Sequence, residues 1–255
     1  MNEASPPDWL VQEAILAPVA AQLLTPGTEL RVREDWIQVI RDHAPHPSMN
    51  EVVFSRLFEA EADEVIDDTI ARYASIPTSF KWSVPQGSGP DDLGDRLRAR
   101  GLHGWMARAM SCRTDSATEG PDATDVSDDP DAYAVTSAAG WDIAGGALDE
   151  YGEGLRWAAQ TGRFGLFLAD DGAGAAAVVR SGRVGLLMGA VVLPEHRGRG
   201  HYASLLRTRL RWLADRGVDH AVTLAREATS APILQAQGFD TLFRYEVFQW
   251  DPPAG

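Results

Sequence analysis

The spacing of apolar residues divides the second half of the chain into short extended runs and longer helical stretches. Three mostly apolar runs, at 164–169, 175–180 and 184–193, are separated by Asp-Asp-Gly and Ser-Gly turns. Such a pattern is typical of an antiparallel meander. A helix is predicted next, over 201–216, because its apolar residues recur at helical spacing and Gly217 suits a C-cap.

The other stretches of this half complete a mixture of strands and helices. A short strand is predicted over 133–136 and a helix from about 141 to 161. The long helix is followed by a strand over 220–225, a short helix over 230–237 and a closing strand over 243–250. The order predicts an α+β fold with a mixed, mostly antiparallel sheet flanked by helices.

The first half shows a similar succession of elements. Its pattern predicts helices at 9–24, 59–73 and 91–100, and strands at 51–57, 80–85 and from Gly101 to Ser111. Before residue 114 the sequence holds no Arg-x-x-Gly-x-Gly junction between a strand and a helix.

Charge changes this picture by suggesting a boundary between two domains. The 255 residues include 23 Lys and Arg against 37 Asp and Glu, a formal charge of −14. Seven of the acids, and no base, lie within residues 114–132. A self-repelling stretch without apolar periodicity predicts a flexible, solvated linker. The expected domains are therefore 1–113 and 133–255, joined by the acidic linker 114–132.

Composition also excludes several classes of protein. The acidic balance argues against nucleic-acid binding, which needs a basic surface. No apolar run approaches the roughly 20 residues of a membrane span, and the first residues do not resemble a secretory signal. A single cysteine, Cys112, excludes an internal disulfide and a cysteine-rich metal site. We therefore expect a cytoplasmic protein without a metal, nucleic-acid or membrane partner.

The junction between the third run and the long helix carries the clearest chemical signal. Its residues Arg197-Gly198-Arg199-Gly200 place two glycines where a strand ends and a helix begins. Glycines allow a tight turn and close approach of a ligand to backbone N–H groups, and a helix start favours an anion. The segment matches neither the Walker loop nor the dinucleotide fingerprint. The physical expectation is a pyrophosphate site.

The residues around this junction resemble a known family. Val192–Gly200, Val-Leu-Pro-Glu-His-Arg-Gly-Arg-Gly, is similar to motif A of the GCN5-related N-acetyltransferases (GNATs), in which a strand ending V-x-P leads into R/Q-x-x-G-x-G/A. Residues 230–239 resemble the last short helix of that family, which ends in a Gly-Phe pair. The resemblance covers about residues 133–250. It implies an acetyltransferase-type fold and acetyl-CoA as cosubstrate.

The resemblance also implies a set of cosubstrate contacts. Backbone groups of Ala190, Val191 and Val192 would contact the pantetheine arm and polarise the thioester carbonyl. The pyrophosphate would lie against the loop and the first helical turn, that is, Gly198, Arg199, Gly200, His201, Tyr202 and Ala203. Arg197 belongs to the same cofactor-binding set, although its side chain could simply close the turn.

The sequence departs from the family pattern at three positions. Tyr202 stands where the loop motif ends in Gly or Ala. Leu234 replaces the tyrosine that protonates the CoA thiolate in many members, and Glu227 replaces a common asparagine. The general acid could therefore be Tyr202, Thr229, Ser230, Tyr245 or solvent. No acidic residue in 184–193 offers a general base.

These observations leave three hypotheses about function. The first is an N-acetyltransferase that acts on a small-molecule amine by direct attack in a ternary complex. The second is an N-acyltransferase for proteins or peptides, and the third is a non-catalytic acyl-CoA sensor. The first half is interpreted as a degenerate GNAT-like domain or as an unrelated α+β domain.

Overall fold

The computed structural model describes residues 6–22, 27–42, 49–76, 78–117 and 119–252. In chain order the elements of this part are α1 (Asp8–Ala21), β1 (Thr28–Val32), β2 (Trp36–Arg41), β3 (Glu51–Ser55), α2 (Ala62–Ala74), β4 (Phe80–Val84), α3 (Leu93–Ala99), β5 (His103–Arg113), β6 (Thr124–Asp125), α4 (Pro130–Gly140), α5 (Gly146–Gln160), β7 (Phe164–Ala169), β8 (Gly174–Ser181), β9 (Val184–Val192), α6 (His201–Ala214), β10 (His220–Arg226), α7 (Ser230–Ala236) and β11 (Asp240–Trp250).

The contacts divide the chain into two compact units that are not consecutive halves. The first unit contains residues 1–25, 110–224 and 238–240. The second contains residues 26–109, 225–237 and 241–255. The chain therefore passes from one unit to the other five times: between α1 and β1, within β5, within β10, between α7 and β11, and within β11.

The first unit is built on the meander that the sequence predicts. Its strands follow the order β6-β7-β8-β9-β10. Neighbours pair antiparallel from β6 to β9, whereas β9 and β10 run parallel. A parallel pair needs a crossover connection, and α6 supplies it. Helix α6 contacts β7, β8 and β9 along its length.

Close packing of helices on this sheet depends on glycines at the contacts, one in a strand and one in a helix. Gly185 of β9 lies so near α6 that an added Cβ would come 2.1 Å from a methyl of Leu213. Similarly, a Cβ on Gly140, at the end of α4, would come 2.1 Å from Val191. Helix α4 is therefore seated directly on the last residues of β9.

The second unit has its own mixed sheet and core. Its strands follow the order β1-β2-β3-β4-β11, in which only β3 and β4 pair parallel. Large aromatic side chains fill the interior: Tyr73 stacks on Phe80 at 4.1 Å, and Trp36 meets Trp82 edge-on at 5.5 Å. Together the units confirm the predicted class, a mixed and mostly antiparallel sheet flanked by helices.

One predicted strand is wrong. Residues 133–136 belong to α4, which starts at Pro130 and continues to Gly140. The carboxylate of Asp129 accepts a hydrogen bond from the N–H of Ala132 at 3.3 Å, and proline suits the first helical position. This local capping outweighs the short alternation of apolar residues. Helix α5 likewise begins at Gly146 rather than near residue 141.

The described part of the acidic segment packs on the first unit. Ala123 is buried, and its N–H donates to Oγ1 of Thr208 at 2.8 Å. Arg211 pairs with Asp122 at 2.5 Å. Residues 124 and 125 form β6 on the edge of β7. This part is thus held to α6 and β7, which a purely solvated linker would not be.

Within the described ranges, no helix is both long and apolar enough to cross a membrane.

Candidate functional site

Strands β9 and β10 pair over a short length and then part. Their register joins Val184, Gly185 and Leu186 to residues 220–222. One more link follows, from the Thr223 hydroxyl to the Leu187 carbonyl at 3.1 Å. From Met188 onward, every residue of β9 is half-buried, whereas the earlier ones are buried. The end of β9 is therefore not paired with β10, and its backbone groups on that edge of the strand are accessible to a ligand.

A bulge sits at the point where β9 leaves its partner. On the other edge, Met188 pairs with Ala177 and Val191 with Ala175, so β9 has an extra residue between them. Ala190 lies inside this irregular stretch. A bulge bends its strand and redirects the local backbone groups. Three residues are predicted to contact the pantetheine arm through their backbone. Ala190 lies in the bulge, whereas Val191 and Val192 pair with β8.

The loop after β9 leads directly into α6. Residues 194–196 form one short helical turn, and Gly198 and Gly200 have φ of +77° and +87°. These values belong to the left-handed region, which only glycine adopts without strain. A Cβ on either glycine would meet no heavy atom within 4 Å in the described chain. The glycines are therefore required by backbone conformation, and the space beside them is open.

The start of α6 keeps its N–H groups available. Gly200 occupies the N-cap position, and no described side chain caps the helix there. His201, Tyr202 and Ala203 form the first turn, which contains no acidic residue. Free N–H groups and the positive end of the helix dipole attract an anion.

The two arginines of the loop behave differently. Arg197 donates from Nε to the carbonyl of Val192 at 3.1 Å, so it closes the turn. Arg199 is exposed, and within the described ranges no hydrogen bond or ion pair holds its side chain. His201 lies with its Nδ1 3.6 Å from a carboxylate oxygen of Asp170. Arg199 is thus the cation of the loop that is free to meet an anionic ligand.

A buried polar cluster lies under the same helix, and the sequence pattern did not reveal it. Arg209 is 1% exposed and donates from Nε to Leu205 O at 3.0 Å and from Nη1 to Ala177 O at 3.3 Å. Burial lowers the pKa of Arg209, and the phenols of Tyr202 and Tyr133 act in the opposite direction. Burial raises the pKa of the Tyr202 phenol, and Arg209 acts in the opposite direction.

Helix α4 places buried hydroxyls beside the bulge of β9. Tyr133 is buried, and a Cβ on Gly189 of the bulge would lie 3.2 Å from its hydroxyl. One turn further along α4, the Ser137 hydroxyl is 2.8 Å from that of Tyr151 in α5. Burial raises the pKa of Tyr133 and Tyr151, so both phenols stay protonated at neutral pH.

The other candidate acids belong to the second unit. Thr229 is exposed just before α7, and the Ser230 hydroxyl donates to the carbonyl of Arg226 at 3.4 Å. Tyr245 is buried in β11, where burial raises its pKa. Only Tyr202 among the four candidates lies in the same compact unit as the glycine loop.

Leu234 and Glu227, which replace the tyrosine and asparagine of the family pattern, have structural roles in the second unit. Leu234 is buried at 3% exposure in α7. Glu227 accepts hydrogen bonds from Arg108 at 2.7 and 3.0 Å and from Arg244 at 2.9 Å. These hydrogen bonds hold the pKa of Glu227 below its usual value. A carboxylate engaged in this way is a poor general base.

The equivalent junction of the second unit has the opposite chemistry. There, β3, α2 and β4 also form a parallel strand–helix–strand unit. Its helix begins among acidic residues that are already paired: Glu59 and Asp63 with Arg96, and Asp63 and Asp67 with Arg100. Acids at a helix start repel a phosphate, so this junction is unsuited to a pyrophosphate.

Known structures share this architecture. A GCN5-related N-acetyltransferase from Kribbella flavida is similar, with a TM-score of 0.65 and 13% identity over 99% of this chain and 98% of that one. A tandem GNAT protein from the clavulanic acid biosynthesis pathway has a TM-score of 0.56 and 18% identity over 99% and 91% of the two chains. An N-acetyltransferase from Sphaerobacter thermophilus scores 0.54 at 17% identity, over 96% and 94%.

No protein-family model and no curated protein matches the sequence. The structural similarity nevertheless shows that the chain has the fold of the GCN5-related N-acetyltransferases. This confirms the resemblance drawn from motif A and the predicted fold class.

The loop glycines allow a direct test of the predicted cosubstrate site. Replacing Gly200 with Val should abolish acetyl-CoA binding, because the side chain would fill the open space beside the N–H groups and strain the turn. Isothermal titration calorimetry measures the affinity. Gly217→Val is the matched control, since Gly217 ends the same helix region with φ +69° and equally open space. Unchanged affinity in Gly200→Val, or an equal loss in both variants, would contradict the assignment.

Proposed function

We propose that this protein is an acetyl-CoA-dependent N-acetyltransferase that transfers an acetyl group to a small-molecule amine. The observation that carries the proposal is the open glycine loop at the start of α6, placed where β9 parts from β10. The loop has the chemistry of a pyrophosphate site, and the strand before it has free backbone groups. The fold is one in which acetyltransferases are known.

The residues of the loop fit the diphosphate of coenzyme A. The space beside Gly198 and Gly200 admits phosphate oxygens, and the uncapped N–H groups of His201, Tyr202 and Ala203 can donate to them. Arg199 supplies a positive charge that no described residue engages. Arg197 contributes by closing the turn through its hydrogen bond to Val192.

The end of β9 fits the pantetheine arm and the thioester. An extended chain with amide groups can pair with a strand edge much as a further strand would. The backbone of Ala190, Val191 and Val192 would serve this purpose on the edge away from β8, and an N–H donor there would polarise the acetyl carbonyl. Bound in this way, acetyl-CoA supplies an activated acyl group, and the protein supplies position and polarisation.

The environment of the single cysteine supports direct transfer without an acyl-enzyme. Cys112 is 6% exposed, and burial raises the pKa of its thiol to about 12. Thiols react as thiolates, so this group is inert at neutral pH. The amine would therefore attack the thioester carbonyl within a ternary complex.

A small amine is the favoured acceptor, and two alternatives remain open to experiment. A protein or peptide amine would use the same cosubstrate site. A non-catalytic acyl-CoA sensor would also bind the cosubstrate, and Leu234 in place of the usual tyrosine gives that reading its support. The three hypotheses differ in whether acetyl-CoA is turned over and in the size of the amine that is acetylated.

Thiol release from acetyl-CoA across a panel of amines, amino acids, aminoglycosides and short peptides tests the function. The proposal predicts turnover with at least one small amine, together with a rise in melting temperature on adding acetyl-CoA, since ligands stabilise the state that binds them. A melting shift without any turnover would favour the sensor. Turnover confined to peptides would favour the second alternative, and no melting shift would overturn the proposal.

The direct-attack mechanism predicts that Cys112→Ser retains most of the activity. Initial rates measured against both substrates should give intersecting lines rather than the parallel lines of a ping-pong scheme. Mass spectrometry after incubation with acetyl-CoA alone should show unmodified protein. A trapped acetyl-cysteine at residue 112, or complete loss of activity in a folded Cys112→Ser protein, would contradict direct attack.

A further inference from the structure

A cleft in the second unit has the size of a small-molecule site. It lies between helix α2 and the hairpin of β1 and β2, and its volume is about 450 Å³. Sites for small molecules usually measure about 300–1,000 Å³. All of its lining residues fall between positions 31 and 72, so none belongs to the glycine loop or to the end of β9.

Two arginines meet at one end of this cleft. Arg31 of β1 is the cross-strand partner of Gln38 of β2, so their side chains share a face of the sheet. The Tyr73 hydroxyl of α2 donates to the carbonyl of Val39 at 2.7 Å, which brings the preceding residue, Arg72, to the same end. Arg31, Gln38 and Arg72 all line the cleft.

Both arginines have donors to spare. Arg31 binds Glu29 through Nε at 2.6 Å, and its two terminal nitrogens have no hydrogen-bond partner among the described residues. Arg72 reaches Asp42 and Ser75 only at 3.4 Å each. Charge-assisted hydrogen bonds are normally about 2.7–2.9 Å long, so these contacts are loose. Either guanidinium can therefore turn toward an anionic ligand.

A buried amide completes this end of the cleft. Gln38 is 2% exposed, and its side-chain oxygen accepts a hydrogen bond from Nε1 of Trp36 at 3.1 Å. The group that remains is an NH2 donor. A planar carboxylate matches this set, because a guanidinium binds it through two parallel hydrogen bonds.

The opposite end of the cleft is more apolar. Trp36 and Val65 contribute to its wall, and Val32 stands at the rim with 60% of its surface exposed. Arg33 is exposed there, with Nε 3.5 Å from a carboxylate oxygen of Asp35. A hydrocarbon or aromatic group that entered this end would be removed from water, which favours binding.

An acidic side chain lies between the two ends. Asp68 stands three residues after Val65 and four before Arg72, so the three share one face of α2. Within the described ranges, no ion pair engages its carboxylate. A free carboxylate attracts a cation and repels a second anion.

We propose that this cleft binds a free α-amino acid with an apolar side chain. The carboxylate of the ligand would meet Arg31 and Arg72. Its ammonium group would pair with Asp68, and its side chain would pack against Trp36 and Val65. This site is separate from the proposed acetyl-transfer site and does not depend on it.

A matched series of ligands tests the proposal by isothermal titration calorimetry without acetyl-CoA. L-Phenylalanine should bind more tightly than 3-phenylpropanoate, which lacks the amine, by about fivefold, as expected for an ion pair near the surface. 2-Phenylethylamine, which lacks the carboxylate, should bind at least about tenfold more weakly than L-phenylalanine. No heat of binding with L-phenylalanine or L-leucine, or equal affinity for all three phenyl compounds, would overturn the proposal.

Two variants assign the binding to this cleft. Arg72→Met should weaken L-phenylalanine and 3-phenylpropanoate alike, by about tenfold or more, because both carry the carboxylate. Asp68→Asn should weaken L-phenylalanine alone, since only this ligand has the ammonium group. Unchanged affinity in Arg72→Met would place the amino acid elsewhere, for example at the acceptor site of acetyl transfer, and would reject the cleft.

Arg98→Met is the matched control in the same unit. Arg98 lies in α3, pairs with Asp95 at 2.8 Å and does not line the cleft, so its loss should leave the affinity for L-phenylalanine unchanged. An equal loss in Arg98→Met and Arg72→Met would contradict the proposal. Because the titrations contain no acetyl-CoA, a failure of the proposed acetyl transfer would leave these results unaffected.

Discussion

The whole candidate site depends on the early parting of β9 and β10. Two parallel strands normally saturate each other's backbone groups, and here the pairing ends after Leu186 apart from one side-chain link. The bulge at Gly189 turns the rest of β9 away from the regular ladder. As a result, one stretch of backbone is available to an extended ligand, and the glycine loop follows directly at its end. Both halves of the proposed coenzyme A site would thus arise from one defect in strand pairing.

The two units show how a single supersecondary arrangement can gain or lose an anion site. In both, a strand leads through a helix to a parallel strand. In the first unit the helix begins at glycines with open space beside them. In the second it begins at acids that are engaged by Arg96 and Arg100. The difference lies in a few side chains at the helix start.

Local features were predictable from the sequence, and long-range ones were not. The meander, the long helix and the loop of Gly198 and Gly200 follow from periodicity and turn residues within a few positions. The strand predicted over 133–136 failed because a cap at Asp129 outweighed weak alternation. The contact between the Tyr133 hydroxyl and Gly189 joins residues far apart in the chain, and the packing of α4 on β9 brings them together.

Hydrogen–deuterium exchange with and without acetyl-CoA tests the central claim most directly, because it reports which backbone amides the cosubstrate covers. The account predicts slower exchange of the amides between residues 188 and 203 when acetyl-CoA is added, since the end of β9 and the start of α6 would donate to it. The amides of residues 56–63, at the acidic junction of the second unit, should exchange at the same rate in both samples. Protection at 56–63, or none between 188 and 203 at a saturating concentration, would contradict the account.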